Sequence, residues 1–211
     1  MYRAFTTTST TSNMKKIMFN DRFGLTEKVL DGNKTQTRRI IPQSVIDKVE
    51  EFRVEYYNMT FDALTTKDSL YHYFFVEKDL GKLPYKVCEI VAVAQSYKEV
   101  FGEGCGKESE AGYNNKMFAK PELMPHQIRI TKVRIERLQD ISEEDCLKEG
   151  IYEDGGNDSF IPHYFYNYYN SNSDGFKTPQ LAYADLINKI ACNSIWDYNP
   201  WVFVYDFVLI K

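Results

Sequence analysis

The sequence predicts an α+β domain, a small curved sheet or barrel with short flanking helices and loop insertions. Two observations carry this. Short β-branched runs alternate with short amphipathic stretches from Ile17 onward, and the run Val202 to Ile210 reads as a central strand. There is also no internal repeat, P-loop, G-x-G-x-x-G, G-x-S-x-G or H-E-x-x-H, which removes the commonest nucleotide, hydrolase and zinc readings.

The 211 residues suffice for one decorated domain. We expect a single domain over 14–211, with insertions at about 43–84, 101–120 and 152–178, behind a Thr/Ser-rich segment 1–13 expected to be disordered. A net charge of -4 argues against general duplex coating, so any nucleic-acid site must be local. Cys88, Cys105, Cys146 and Cys192 are far apart, as are His72, His126 and His163. No metal site, disulfide or cofactor is therefore expected, and free thiols suit a cytoplasmic protein. No apolar run approaches the roughly 20 residues of a membrane span.

In chain order, Ile17-Met18-Phe19 is a short strand leading into a helix that ends at Gly32. Thr35 to Ile41 favours an extended segment, closed by Pro42. Val45, Ile46, Val49 and Phe52 recur at helical spacing behind Ser44, an N-cap candidate. Tyr56 to Leu83 alternates aromatic and polar residues like a hairpin insertion, with rings suited to covering the core or stacking on bases. Val87 to Tyr97 reads as a strand and the Gly-rich stretch 101–120 as a mobile loop. Ile128 to Leu138 alternates with a slip near Thr131-Lys132, which predicts a bulged strand. Ser142 opens a short helix closed by Gly150. Glu149 sits in its last turn, where a carboxylate opposes the helix dipole. After a Gly/Asn/Asp/Tyr-rich insertion, Thr178-Pro179 opens a helix with Leu181, Ala184, Ile187 and Ile190 as its apolar stripe.

The densest chemistry lies in Gly32-Asn33-Lys34-Thr35-Gln36-Thr37-Arg38-Arg39, which sets three cations, two hydroxyls and an amide behind a helix-stopping glycine. Such a cluster is either a solvated, ion-paired face or a holder for an anion or polar ring. Period 2 puts Thr37 and Arg39 on one face and Arg38 on the other, so Lys34 can join Thr37 only from the turn.

Three ordered blocks resemble the ASCH domain, a PUA-like β-barrel family, in its phage and prophage branch. They are Gly32 to Arg39, Arg134 to Ile151, and Trp196 to Phe207. The family pattern G-x-K-x-x-E-x-R is matched by Gly32, Lys34 and Arg39, with Thr37 in place of Glu. Thr at that position, with the motif Lys and a Glu after the middle strand, resembles bacterial ASCH proteins that hydrolyse the amide of N4-acetylcytidine. The resemblance implies Lys34, Thr37 and Glu149 as catalytic positions, and Gly32, Arg38 and Arg39 as ligand-binding ones. Departures include Cys88-Glu89 in place of Gly-Asp, a strand at Val91 to Tyr97 without the expected Trp, Arg and Glu, and His126 where arginine is common.

The implied partner is RNA or a modified nucleoside, with no membrane, bound in a cleft lined by the Gly-x-Lys-x-x-Thr-x-Arg motif. Its enzymatic form is hydrolysis of an acylated cytidine amide. A threonine attacks an amide only if its proton is taken, and lysine does that only with its pKa drawn well below about 10.4. Glu149 would orient the lysine or protonate the leaving amine, and an arginine or backbone N–H would hold the oxyanion. The alternatives are a ribonuclease-like activity and a noncatalytic phosphate- or RNA-binding module. A basic patch wholly consumed by ion pairs would count against all three.

Overall fold

The computed structural model describes residues 14–59, 83–156, 163–171 and 174–210, and the expectations for 1–13 and for the aromatic stretch 60–82 lie outside them. In chain order the strands are β1 (Lys16–Ile17), β2 (Gln36–Ile40), β3 (Ile90–Val93), β4 (Gln127–Arg137), β5 (Tyr152–Gly156), β6 (His163–Asn167) and β7 (Trp201–Ile210). The helices that matter here are α1 (Leu25–Leu30), α2 (Gln43–Met59), α3 (Tyr97–Phe101), α4 (Glu143–Lys148) and α5 (Pro179–Ala191).

The fold is α+β, with a five-stranded mixed sheet in the order β1-β3-β4-β7-β2 and a separate β5-β6 pair. β7 lies between β4 and β2, as its continuous apolar run requires, and Trp201 to Tyr205 are all buried. The register of β4 against β7 shifts between Ile130 and Lys132, where the alternation slips. The sheet does not close into the expected barrel. β1 is two residues long, and no pairing joins it to β2 among the described residues. The gap is crossed by a side chain instead: Arg39 Nη2, on β2, donates to the Met18 carbonyl just beyond β1 at 2.6 Å.

Several local expectations are corrected. The helix after Pro42 starts at Gln43, so Ser44 lies within its first turn and is not its N-cap. The strand in Val87 to Tyr97 is limited to Ile90–Val93, because Ser96 and Glu99 form a reciprocal capping box that starts α3. The segment 101–120 is anchored rather than a free loop. Tyr113 and Ala119 pack with Ala92, Tyr97 and Met124, and Lys16 Nζ donates to the carbonyls of Lys116, Met117 and Ala119. On α5, Ala184 of the expected stripe is buried and Ile187 and Ile190 pack partly buried against the core, but Leu181 is exposed, and Ala182, Tyr183 and Leu186 widen the inward face beyond that stripe.

Candidate functional site

Gly32 follows the last turn of α1 at φ 76°, a left-handed conformation that suits glycine and turns the chain toward β2. Gly32 is itself exposed and absent from the cavity lining below. Its role is to aim the chain, which corrects its expected place as a ligand contact. Lys34 precedes β2, still outside the strand, and its main-chain N–H donates to Lys28 C=O at 2.8 Å. This is the position from which it can join Thr37.

Lys34, Thr37, Arg38 and Glu149 are all buried. Lys34 Nζ donates to Glu149 Oε2 at 2.5 Å and to the Glu149 carbonyl at 2.7 Å. Glu149 caps the C-terminus of α4, and its unfavourable position against the dipole is offset by Lys34 on Oε2 and by Arg38 Nη1 on Oε1 at 3.1 Å. Gly150 follows Glu149 where the chain leaves α4. It sits at φ 105°, and a Cβ there would meet Lys28 Cδ at 3.1 Å and Leu25 Cδ2 at 3.3 Å, with the Lys34 stem at 3.9 Å.

Arg38 is consumed by carboxylates. It reaches Glu136 Oε1 at 2.6 Å, Asp145 Oδ2 at 3.1 Å and Glu149 Oε1 at 3.1 Å, and Gln36 Oε1 accepts from Nη1 at 2.6 Å. Arg134 also binds Glu136, Asp145 and Asp206. Three cations (Lys34, Arg38, Arg134) thus face four carboxylates (Glu136, Asp145, Glu149, Asp206). The Arg38 guanidinium is held within this network. Arg39 differs: it is half-buried, 5.8 Å over the Phe19 ring, and has no carboxylate partner among the described residues.

These side chains border a cavity of about 80 Å³ lined by Lys34, Thr37, Arg38, Arg39 and Glu149, with Met18 to Asn20 across the gap and Tyr183, Leu186, Ile187 and Ile190 of α5 above. The Thr37 hydroxyl has no hydrogen-bond partner among the described residues, yet the one sealed-off unsatisfied side-chain atom there is the Tyr205 hydroxyl. Thr37 Oγ1 therefore opens onto the cavity. Burial lowers the Lys34 pKa, opposed by Glu149 and helped by Arg39 and Arg38. Burial disfavours the Arg38 cation, but Glu149 and Glu136 outweigh it and keep Arg38 charged. Burial also raises the Tyr183 phenol well above its ordinary range, keeping it a neutral donor. Tyr183 was not anticipated; its sequence signal, an aromatic beside the expected stripe of α5, reads as ordinary core. Among the described residues no group of His, Cys, Asp and Glu is placed to hold a metal ion, and no helix is long and apolar enough to cross a membrane.

No protein-family model, no curated protein and no solved structure matches this chain.

Proposed function

We propose that this chain is an ASCH-type, PUA-like domain that admits the exocyclic edge of a nucleobase to the cavity beside β2 and hydrolyses an acylated cytidine amide there. The observation that carries the reading is the meeting of Lys34, Thr37 and Glu149 at one small cavity, though Glu149 lies 115 residues from Lys34. Two further features support the family resemblance. Cys88, where relatives have glycine, holds the left-handed φ of 66°. The open five-stranded sheet also has its two edges bridged by the Arg39 side chain.

In the proposed chemistry Thr37 Oγ1 attacks the acyl carbonyl while Lys34 Nζ, its pKa lowered by burial, takes the proton from its deprotonated form. Glu149 fixes the lysine through Oε2. Arg39, which has no carboxylate partner among the described residues, stabilises the oxyanion. The carbon–nitrogen bond breaks, the proton passes to the exocyclic nitrogen, and cytidine leaves. Water then cleaves the threonyl ester, releasing the carboxylic acid and restoring the hydroxyl.

The site favours this reading over ribonuclease or phosphate-binding ones. Lys34 and Arg38 are already neutralised, which leaves Arg39 as a weak attractor for phosphate, and among the described residues no histidine lines the cavity. About 80 Å³ is short of the roughly 300–1,000 Å³ that swallows a whole ligand. The cavity suits an acyl-amide edge with the sugar outside. Incubation with N4-acetylcytidine followed by mass analysis of peptides tests the covalent step. A Thr37 peptide carrying one acetyl group supports it, and a protein that releases acetate without that adduct refutes threonine as the nucleophile.

A further inference from the structure

β2 is an edge strand, and the bonds flanking it fix which way its main-chain groups point. Phe207 N–H donates to Thr35 C=O at 2.9 Å, and Ile41 N–H donates to Trp201 C=O at 2.9 Å. Thr35 and Phe207 continue the register that opposes Gln36 to Asp206, so the odd-numbered residues form the hydrogen-bonded pairs. Thr35, Thr37, Arg39 and Ile41 turn their main-chain groups toward β7. Gln36, Arg38 and Ile40 turn theirs to the free edge.

Ile40 is exposed, so water can serve it. Arg38 is 6% exposed while its side chain is 1% exposed, so the exposure falls mainly on its main chain, and among the described residues neither its N–H nor its C=O has a hydrogen-bond partner. Gln36 is oriented alike, but Arg38 is the one that lines the cavity. This donor and acceptor point the same way beside the cavity and are open to a molecule that enters it.

We infer that the Arg38 N–H and C=O, on the free edge of β2, are the recognition element for a planar heterocycle presenting a hydrogen-bond acceptor and donor side by side, the amidine or lactam edge of a nucleobase. The Arg38 N–H donates to the ring acceptor, and the Arg38 C=O accepts from the neighbouring amino or imino hydrogen. This copies a rung of a β-ladder, where one residue exchanges both bonds with its opposite. An extended peptide offers the same groups. A strand, however, needs about 3.3 Å of length per residue and a second flank, and about 80 Å³ under Tyr183, Leu186, Ile187 and Ile190 does not provide them. The apolar roof instead suits the face of a ring. The inference rests on the proposed nucleobase ligand and not on catalysis, although a base held at Arg38 sits one residue from the Thr37 hydroxyl.

The test is a titration of the ¹⁵N-labelled wild-type chain with cytidine, N4,N4-dimethylcytidine, which lacks the donor, and 3-deazacytidine, which lacks the ring acceptor. Cytidine should saturate the protein and move the Arg38 amide proton downfield, and each analogue should bind about tenfold more weakly, one hydrogen bond being lost. Saturation without movement of the Arg38 amide, analogues as tight as cytidine, or no saturable binding at millimolar cytidine would each overturn the inference. The outcomes separate from those of the hydrolase reading. Cytidine bound at Arg38 by a protein that leaves N4-acetylcytidine intact sinks the hydrolase alone, and turnover without the amide shift sinks the rung alone.

Discussion

Lys34 meets Glu149 twice, its Nζ donating both to Oε2 at 2.5 Å and to the main-chain carbonyl at 2.7 Å. The second bond satisfies a carbonyl at the end of α4 that the helix leaves without a partner, so the same lysine closes the helix and faces the cavity. One side chain thus couples stability to the site.

Removal of the ammonium exposes that coupling. Lys34→Met leaves Glu149 buried with Arg38 as its remaining cation, and breaking a buried pair from one side destabilises by about 3–5 kcal/mol. Urea denaturation should show a loss near the lower end, and Lys34→Met with Glu149→Gln should recover part of it. A loss below about 1 kcal/mol would mean that the pair is not held as described.

Thr37 should behave in the opposite way. Its hydroxyl has no protein partner among the described residues, so Thr37→Val should change stability by less than about 1 kcal/mol. Hydrolysis of N4-acetylcytidine should fall by at least about 10²-fold. A large loss of stability would reveal a structural hydroxyl instead.

How far the sequence disclosed this arrangement differs from residue to residue. Gly32 announced the turn that keeps Lys34 out of β2, the alternation slip announced the bulge at Ile130/Lys132, and the carboxylate of Glu149 at the wrong end of a helix dipole announced a residue held by something else. These signals are local and survive in one dimension. The fate of Arg38 is not local: Glu136, Asp145 and Glu149 arrive from about a hundred residues away, so a cluster that reads as free cations becomes a closed network. The open sheet, the exposure of Leu181 on α5 and the roof at Tyr183 depend likewise on how distant elements pack.

Acid should loosen that network. Burial favours protonation of Asp145, but Arg134, Gln36 and Arg38 outweigh it and hold the carboxyl below its ordinary 3.8. A lowered folded-state pKa stabilises the fold above 3.8 and loses that contribution as pH falls through the folded value. Stability measured from pH 5 downward should therefore fall less steeply in Asp145→Asn than in wild type. Parallel curves would assign the acid loss to other carboxylates.

Lys34 works with the other sign. Its folded pKa lies below the ordinary 10.5, so between the two values the unfolded chain binds more protons, and the lysine's contribution makes stability rise with pH until 10.5 is passed. Turnover should rise across the same limb, as the general base loses its proton. An activity profile flat through alkaline pH would remove Lys34 from that role.

The central claim is tested most directly by cytidine release from N4-acetylcytidine by the purified chain, beside Lys34→Ala, Thr37→Ala and Glu149→Ala proteins checked for folding. Wild type should release cytidine, and all three variants should lose that release. A well-folded wild type that leaves N4-acetylcytidine intact, or a Thr37→Ala protein that hydrolyses it at the wild-type rate, would contradict the account.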